Sequence, residues 1–202
     1  MRNRNLLLAL SVALMCAASG CIFSPDDDGG GGGTTVVRPF PGTPDQVMEN
    51  FRTAYSTRDL DFYNEVLHAD YRFYFTQEDV LSGAVPSEFW GKAEEMEATE
   101  NIFSGNAYQS PDGDSVAGVS AITFSQLDQT VDWQPVGAED PDFPNTQRAL
   151  FTVAIDFERT GGSTIQVTGD QLFYVSCDTV VVDGLRKAYY QVRGQRDYTS
   201  VK

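Results

Sequence analysis

The stretch FTVAIDFERTGGSTIQVT, residues 151–168, decides the fold class. In its first half, large apolar side chains alternate with smaller or polar ones: Phe151, Val153, Ile155 and Phe157. Period two is the spacing of a strand with one buried face, and a pair of glycines between two such runs favours a hairpin. The stretch therefore predicts two long antiparallel strands joined at Gly161-Gly162.

Further strands are predicted on both sides of this hairpin. One covers residues 116–127, the second hairpin strand continues to Cys177, and a last strand runs over residues 187–197. Gly169 inside a long strand indicates a bulge that bends the sheet. The proline-containing stretch 133–147 predicts a long loop.

Helices are predicted upstream. Thr43-Pro44-Asp45-Gln46 has an N-cap threonine, a proline at the first helical position and a capping-box glutamine. A second, short helix fits residues 59–67, and the aromatic run 70–75 predicts a strand. Pro86-Ser87-Glu88 predicts the start of a third helix that ends near Phe103.

The third helix is expected to bury one face and to expose the other to solvent. Its predicted inner residues are Phe89, Ala93, Met96 and Phe103, and its predicted solvated acids are Glu94, Glu95, Glu97 and Glu100. With helices first and strands after them, the chain predicts an α+β class, in which helices lie inside a strongly bent antiparallel sheet.

The first 20 residues predict an export signal, with Arg2 and Arg4 before an apolar run. The sequence Ala18-Ser19-Gly20-Cys21 then resembles the lipobox of bacterial lipoproteins, which implies that Cys21 is diacylated and that the peptide is cleaved just before it. Cys16 is the rival position, but Met15 before it breaks the small-residue rule. The other alternative is an ordinary secreted protein in which Cys21 is a spare thiol.

Residues 21–40 predict a disordered Asp/Gly-rich tether, since Asp26 to Asp28 and Gly29 to Gly33 cannot bury apolar surface. Residues 41–202 form the single predicted domain. Ile22 follows the cysteine, and by the lipoprotein rule this favours the outer membrane, on its periplasmic face or at the cell surface.

The formal net charge of the 202-residue chain is −15, and loss of residues 1–20 makes it −17. Such acidity excludes a phosphate-backbone partner, so no nucleic acid is expected. The few Cys and His residues predict no metal site and no cofactor, and Asp112-Gly113-Asp114 is typical of a turn. Cys177 is expected to be a buried, inert thiol, and His68 to lie at a helix C-terminus.

Three segments carry a resemblance to a known family. Residues 51–61 and 66–73, together with the ending 190–197, resemble the nuclear transport factor 2-like superfamily, which includes SnoaL-like cyclases and ketosteroid isomerases. The resemblance covers residues 43–198 and implies a cone-shaped, cystatin-like α+β fold.

The resemblance also implies where an isomerase would keep its tyrosine and aspartate. Those two positions fall on Phe51 and Phe75, which can neither donate a hydrogen bond nor take a proton. Other acidic and phenolic groups lie close by in the sequence: Tyr55, Tyr74, Glu78 and Asp79.

The sequence accordingly predicts a lipid-anchored envelope protein with a non-catalytic binding or scaffolding domain, which holds either a small apolar ligand or a protein partner. A homodimer is compatible with it. The alternative is an isomerase- or cyclase-like enzyme on the same fold with a rearranged site. A pocket that places an acid within reach of a tyrosine would favour the enzyme, and a filled cone would favour the scaffold.

Overall fold

A computed structural model describes residues 38–83, 85, 87–109 and 115–197. The predicted signal, the predicted lipid-attachment residue Cys21 and most of the predicted tether lie outside the described residues. Pro86 and Asp112-Gly113-Asp114 lie outside them as well.

Local sequence explains where the main helices begin. Helix α1 spans Pro44–Thr57, and the Thr43 hydroxyl accepts a hydrogen bond from the backbone N–H of Gln46, as the capping pattern predicts. Helix α2 spans Leu60–Val66 and is capped by Asp59. The other described helices are α3, Gln77–Leu81, and α4, Lys92–Ser104.

The strands are longer than the sequence predicted. Two short ones, β3 (Tyr108–Gln109) and β4 (Ser115–Val116), pair with each other. The main-sheet strands are β1 (Leu67–Tyr74), β2 (Phe89–Gly91), β5 (Val119–Pro135), β6 (Thr146–Arg159), β7 (Thr164–Val182) and β8 (Leu185–Asp197).

The main sheet is mixed. Among the described residues its strand order is β2-β1-β8-β7-β6-β5, with β2 and β5 at open edges, so the sheet does not close. Strands β1 and β8 run parallel, whereas every other described neighbour pair is antiparallel. The α+β class is confirmed, and the parallel pair is the difference from an all-antiparallel sheet.

The core lies between the helices and one face of the sheet. From α1, the buried residues Val47, Met48, Phe51 and Ala54 form the stripe that helical spacing predicted. The Phe51 ring contacts Tyr63 from α2 and two rings of the sheet, Phe124 and Phe173, at centroid distances of 5.5–6.2 Å. Helices packed against a bent sheet are the layers expected of a cone.

A second cluster covers the opposite face of the sheet. Neighbours in a strand point to opposite faces, so Tyr174 points away from the core residue Phe173. The loop of residues 136–145 lies over this face and buries Phe143, whose ring stacks on Tyr174 with centroids 4.0 Å apart. This loop is shorter than the predicted loop 133–147, because β5 and β6 extend into that range from both ends.

Three local predictions are wrong. The third helix starts at Lys92 because residues 89–91 pair with β1 instead. Gly169 keeps regular register opposite Val153, so no bulge bends the sheet there. Cys177 is exposed, since β7 continues past the edge of β6 and leaves its thiol outside the core.

Candidate functional site

The interior of the cone keeps an open cavity of about 220 Å³. Helices α1, α2 and α4 wall it on one side and strands β6, β7 and β8 on the other. Its lining is mainly aromatic and aliphatic, and among the lining residues described there is no Lys or Arg: Phe51, Tyr55, Tyr63, Phe73, Trp90, Glu95, Ala98, Thr99, Ile102, Val153, Ile155, Phe157, Val167, Gly169, Gln171, Phe173 and Gln195. Such a lining suits an uncharged, apolar molecule.

A carboxyl group stands in this apolar wall. Glu95 projects from α4, is only 7% exposed, and accepts a 2.6 Å hydrogen bond from the hydroxyl of Tyr63 on α2. Thr99, one turn further along α4, donates a longer bond of 3.4 Å to the same oxygen, Oε1. Two helices thus fix the orientation of the acid.

Burial sets the ionisation of these groups. Loss of water around Glu95 raises the pKa of its carboxyl, although hydrogen bonds from Tyr63 and Thr99 partly oppose the rise. Burial raises the pKa of the Tyr63 hydroxyl well above its usual value, and the nearby Glu95 raises it further. Tyr63 therefore stays a hydrogen-bond donor, while Glu95 keeps its proton to a higher pH than an exposed glutamate does.

A weakly paired donor lies beside the carboxyl. The indole Nε1 of Trp90 is buried and forms no hydrogen bond of ordinary geometry among the described residues. It does lie close enough to Glu95 to act on that carboxyl as a hydrogen-bond donor, which favours the charged form. A buried N–H with so weak a partner is costly, so an acceptor on a bound molecule would satisfy it better.

Two amides form a polar strip on the sheet side of the cavity. The side-chain amide of Gln195 donates to the side-chain carbonyl of Gln171, and the Tyr71 hydroxyl donates to Gln195 Oε1 at 3.2 Å. These bonds hold both amides in place, so the strip offers fixed polar contacts opposite the acid.

The isomerase positions predicted by resemblance are not brought together as a site. Phe51 lines the cavity, but Phe75 packs on Phe73 and Trp90. Of the four neighbours considered, Tyr55 reaches the cavity. Tyr74 joins the cluster on the opposite face, and Glu78 and Asp79 belong to α3.

Glu95 is the functional residue that the sequence interpretation missed, since it was assigned to the solvated face. Its signal was present: Glu95, Ala98, Ile102 and Phe103 follow the i, i+3, i+7, i+8 spacing of one helix face. Helix α4 begins only at Lys92, so Phe89 does not belong to it. The buried face of α4 therefore differs from the face predicted with Phe89 as an inner residue. The same difference leaves Ala93 exposed instead of buried.

His68 does not belong to the cavity, and it lies in β1 beyond the end of α2. Its Nδ1 accepts the backbone N–H of Asp70 at 3.0 Å and faces the Arg193 guanidinium at 2.7 Å. Burial and Arg193 lower the pKa of the imidazole. Two donors at Nδ1 place the proton of the neutral ring on Nε2, so the residue has a structural role.

The described part of the chain holds neither a metal cluster nor a membrane span. No group of three or more His, Cys, Asp or Glu side chains there could hold a metal ion. Among the described helices, none is long and apolar enough to cross a membrane.

The fold and the cavity together define a class, an α+β cone domain with an apolar interior site. Several solved structures are similar to this chain at low identity. One, provisionally described as an aromatic ring hydroxylase from Novosphingobium aromaticivorans, is 13% identical over 78% of this chain and 87% of its own, with a TM-score of 0.49. A hexachlorocyclohexane dehydrochlorinase from Novosphingobium barchaimii is 8% identical over 77% and 82%, with a TM-score of 0.45.

An NTF2-like protein of unknown function from Burkholderia pseudomallei is 12% identical over 77% of this chain and 89% of its own, with a TM-score of 0.39. No protein-family model and no curated protein sequence matches the chain. Likenesses this distant identify no chemistry, so function is argued from the site itself.

Proposed function

We propose that the chain is a lipid-anchored protein of the bacterial cell envelope whose domain binds a small, largely apolar ligand inside the cone. The observation that carries the ligand is the cavity of about 220 Å³ with Glu95, Tyr63 and Trp90 in its wall. A scaffold that used only its surface would have no reason to keep an open interior with a buried acid, so the cavity favours a ligand over a protein partner.

The anchor rests on the amino-terminal sequence. Cleavage before Cys21 and acylation of its thiol attach the domain to lipid, and several acyl chains give the stable attachment that one chain lacks. Ile22 favours the outer membrane as the destination, on its periplasmic face or at the cell surface.

The lining specifies the ligand's chemistry. An anion is disfavoured, because Glu95 stands in the wall and no described lining residue carries a positive charge. The Trp90 N–H favours a ligand with one hydrogen-bond acceptor, such as a carbonyl oxygen. The aromatic wall favours a ligand that is otherwise apolar. The ligand class is therefore a small neutral molecule with one oxygen function.

The test compares two substitutions on one helix. Ala98 lines the cavity, whereas Ala93 is exposed on the same helix, so Ala98→Phe fills the site and Ala93→Phe leaves it open. We expect mass spectrometry to find a small molecule co-purifying with the wild type and with Ala93→Phe, but not with Ala98→Phe. Circular dichroism checks that both variants fold. Equal amounts in all three proteins would contradict the proposal.

A second candidate is a proton-transfer enzyme of the isomerase or cyclase type. It is favoured by one observation: the cavity places an acid within hydrogen-bond reach of a tyrosine, which is the feature expected of the enzyme. The Glu95 carboxyl, whose pKa burial raises, accepts from Tyr63 and stands beside the weakly paired N–H of Trp90, which fits a carbonyl oxygen. In such a site Trp90 would hold the carbonyl, and Glu95 would take the proton from the adjacent carbon.

This candidate is tested with a panel of small cyclic ketones in D₂O. If it holds, proton NMR shows exchange next to the carbonyl with the wild type, and Glu95→Gln abolishes that exchange. Binding of a panel member without any exchange would leave the ligand-binding proposal standing and remove the enzyme.

A further inference from the structure

We propose that the outer end of the β7–β8 hairpin is a second membrane contact, which works beside the acylated Cys21. We call residues 177–190 the tip ribbon. Strand β7 pairs with β6 only as far as Ser176, and β8 first meets β1 at Val192. Between those points the two strands of the tip ribbon pair with each other alone within the sheet, so they project past it.

The end of the tip ribbon is apolar on both faces. Val181 is 69% exposed and Leu185 is 65% exposed. Val181 lies opposite Arg186, and Val182 lies opposite Leu185, so Val181 and Leu185 point to opposite faces of the ribbon. A protein partner that docks on a ribbon covers one face, whereas a lipid headgroup layer surrounds both. The two-sided exposure therefore favours lipid over a second copy of the chain.

The tether enters the domain beside this ribbon. The carbonyl of Pro41 accepts a hydrogen bond of 2.9 Å from the backbone N–H of Tyr190, and the Phe40 ring lies 5.7 Å from that of Tyr189. The Lys187 ammonium lies 5.6 Å from the centre of the Phe40 ring. The chain that leads back to Cys21 thus passes the base of the tip ribbon. Its first described residue, Arg38, pairs with Glu65 of α2, whose backbone carbonyl accepts from Gln191 next to the ribbon.

The lengths of the tether and of the ribbon allow Cys21 and the ribbon tip to contact the membrane at the same time. There are 16 residues between Cys21 and Arg38, and a Gly-rich coil of that length has an end-to-end distance of roughly 20–24 Å. The ribbon rises about 17 Å from Tyr190 to Leu185. An anchored domain therefore brings this end, and not the opposite Gly161-Gly162 end of β7, within reach of the bilayer. The inference rests on the proposed acylation of Cys21.

Charges limit how deep the tip goes. Arg186 and Lys187 follow the apolar tip immediately and can reach lipid phosphates with their side chains. Asp183 lies in the turn itself, where its carboxylate opposes entry into hydrocarbon. The tip is therefore placed in the headgroup layer.

The test uses the processed, full-length protein reconstituted into phosphatidylethanolamine and phosphatidylglycerol vesicles. Cys177→Ser removes the native exposed thiol, and a fluorophore is attached at Val181→Cys or, as the matched control, at Ser163→Cys beside the opposite turn of β7. Lipids with a spin label on the headgroup then quench fluorophores that lie in that layer. We expect quenching several-fold stronger at position 181 than at position 163, and its loss on adding Leu185→Asp.

Mass spectrometry of Cys21 on the same samples separates this inference from the proposed anchor. Acylated protein with equally weak quenching at both positions overturns the ribbon contact and leaves the anchor standing. Equally strong quenching at both positions overturns it too, since the domain would then lie flat. An unmodified Cys21 overturns the anchor and the ribbon contact together. Quenching between ribbons of two copies, without lipid quenching, assigns the tip to a dimer.

Discussion

Glu95 combines two properties that rarely coexist, full burial and a carboxyl group. Its position costs free energy whenever the group is charged, and the hydrogen bond from Tyr63 recovers only part of that cost. Stability should therefore report directly on the protonation of this one side chain.

The first prediction is that Glu95 makes the fold less stable as the pH rises. Above the ordinary glutamate pKa of 4.5 an unfolded chain releases this proton, while the folded protein keeps it because burial raises the pKa of the carboxyl. The free energy of unfolding should thus fall by up to about 1.4 kcal/mol per pH unit until the folded group also ionises. Glu95→Gln should remove this dependence, measured by urea unfolding from pH 4.5 upward.

Glu97→Gln, which removes an exposed acid from the same helix, is the control and should retain the wild-type pH profile. A Glu95→Gln profile that follows the wild type at every pH would show that the buried carboxyl ionises as freely as an exposed one.

The second prediction concerns Gly194, where the loop 136–145 touches the sheet. A Cβ at this glycine would overlap the Phe143 ring, which is itself fully buried. Gly194→Ala should therefore displace the ring and cost about 1–3 kcal/mol of unfolding free energy. Gly42→Ala is the matched control, since its Cβ would meet the Phe40 ring at an ordinary 3.6 Å. Equal melting temperatures for the two variants would refute the close approach.

At the scale of elements, the more buried ion pairs of the loop 136–145 converge on one cation. Arg196 of β8 donates to Asp140 at 3.0 Å and to Asp142 at 2.8 Å, and its guanidinium lies 3.9 Å from the centre of the Tyr74 ring. Tyr174 donates a further bond of 2.5 Å to Asp140. Charge, ring contact and hydrogen bonds thus converge where the loop crosses the sheet.

The third prediction is that Arg196→Leu frees this loop while the sheet remains folded. Loss of the cation leaves Asp140 buried without its charge partner, which should cost about 2 kcal/mol. Amide hydrogen exchange should rise in residues 136–145. Arg148→Leu, which breaks the more exposed pair with Glu139, should change exchange little. Unchanged protection in Arg196→Leu would show that the cation is not needed to hold the loop.

Local chemistry explains which elements the sequence could predict. The N-cap of α1 and the Gly161-Gly162 hairpin are encoded by neighbouring residues, and both are confirmed. The start of α4 was missed because residues 89–91 pair with a strand that lies far earlier in the chain. The parallel contact of β1 with β8 joins opposite ends of the domain, so no local pattern carries it.

The site was predicted less well than the fold, for a related reason. The residue types were visible, but the phase of α4 decides whether Glu95 faces water or the cavity, and that phase depends on where the helix begins. Cys177 was expected to be buried from its apolar neighbours in sequence. The structure exposes it because β7 runs on beyond its partner β6.

At the scale of the whole molecule, the acidic surface and the anchor act in opposite directions. Without the first 20 residues the net charge is −17, and such a surface is repelled by anionic lipid. In the proposed arrangement, attachment therefore comes from a covalent lipid, and contact by protein side chains is confined to places where apolar groups project. The tip ribbon is such a place, and the N-terminal chain passes beside it.

The fourth prediction follows from this balance of charge and anchor. Cys21→Ala removes the thiol that would be acylated, so the precursor should keep residues 1–20 and should no longer respond to globomycin. Cys16→Ala is the matched control, because Met15 makes that position a poor lipobox, and it should be processed as the wild type is. Fractionation followed by mass spectrometry of the amino-terminal peptide shows whether each variant is processed and acylated.

The net charge of the mature chain also predicts how the protein would behave if Cys21 were not acylated. A mature domain with a net charge of −17 and no acyl chain has little affinity for an anionic bilayer, so an unacylated wild type would be released as soluble protein. Such release, with the thiol of Cys21 free, would identify an ordinary secreted protein. The cavity and its Tyr63–Glu95 pair would remain, since both lie within the folded domain and do not depend on how the chain is attached.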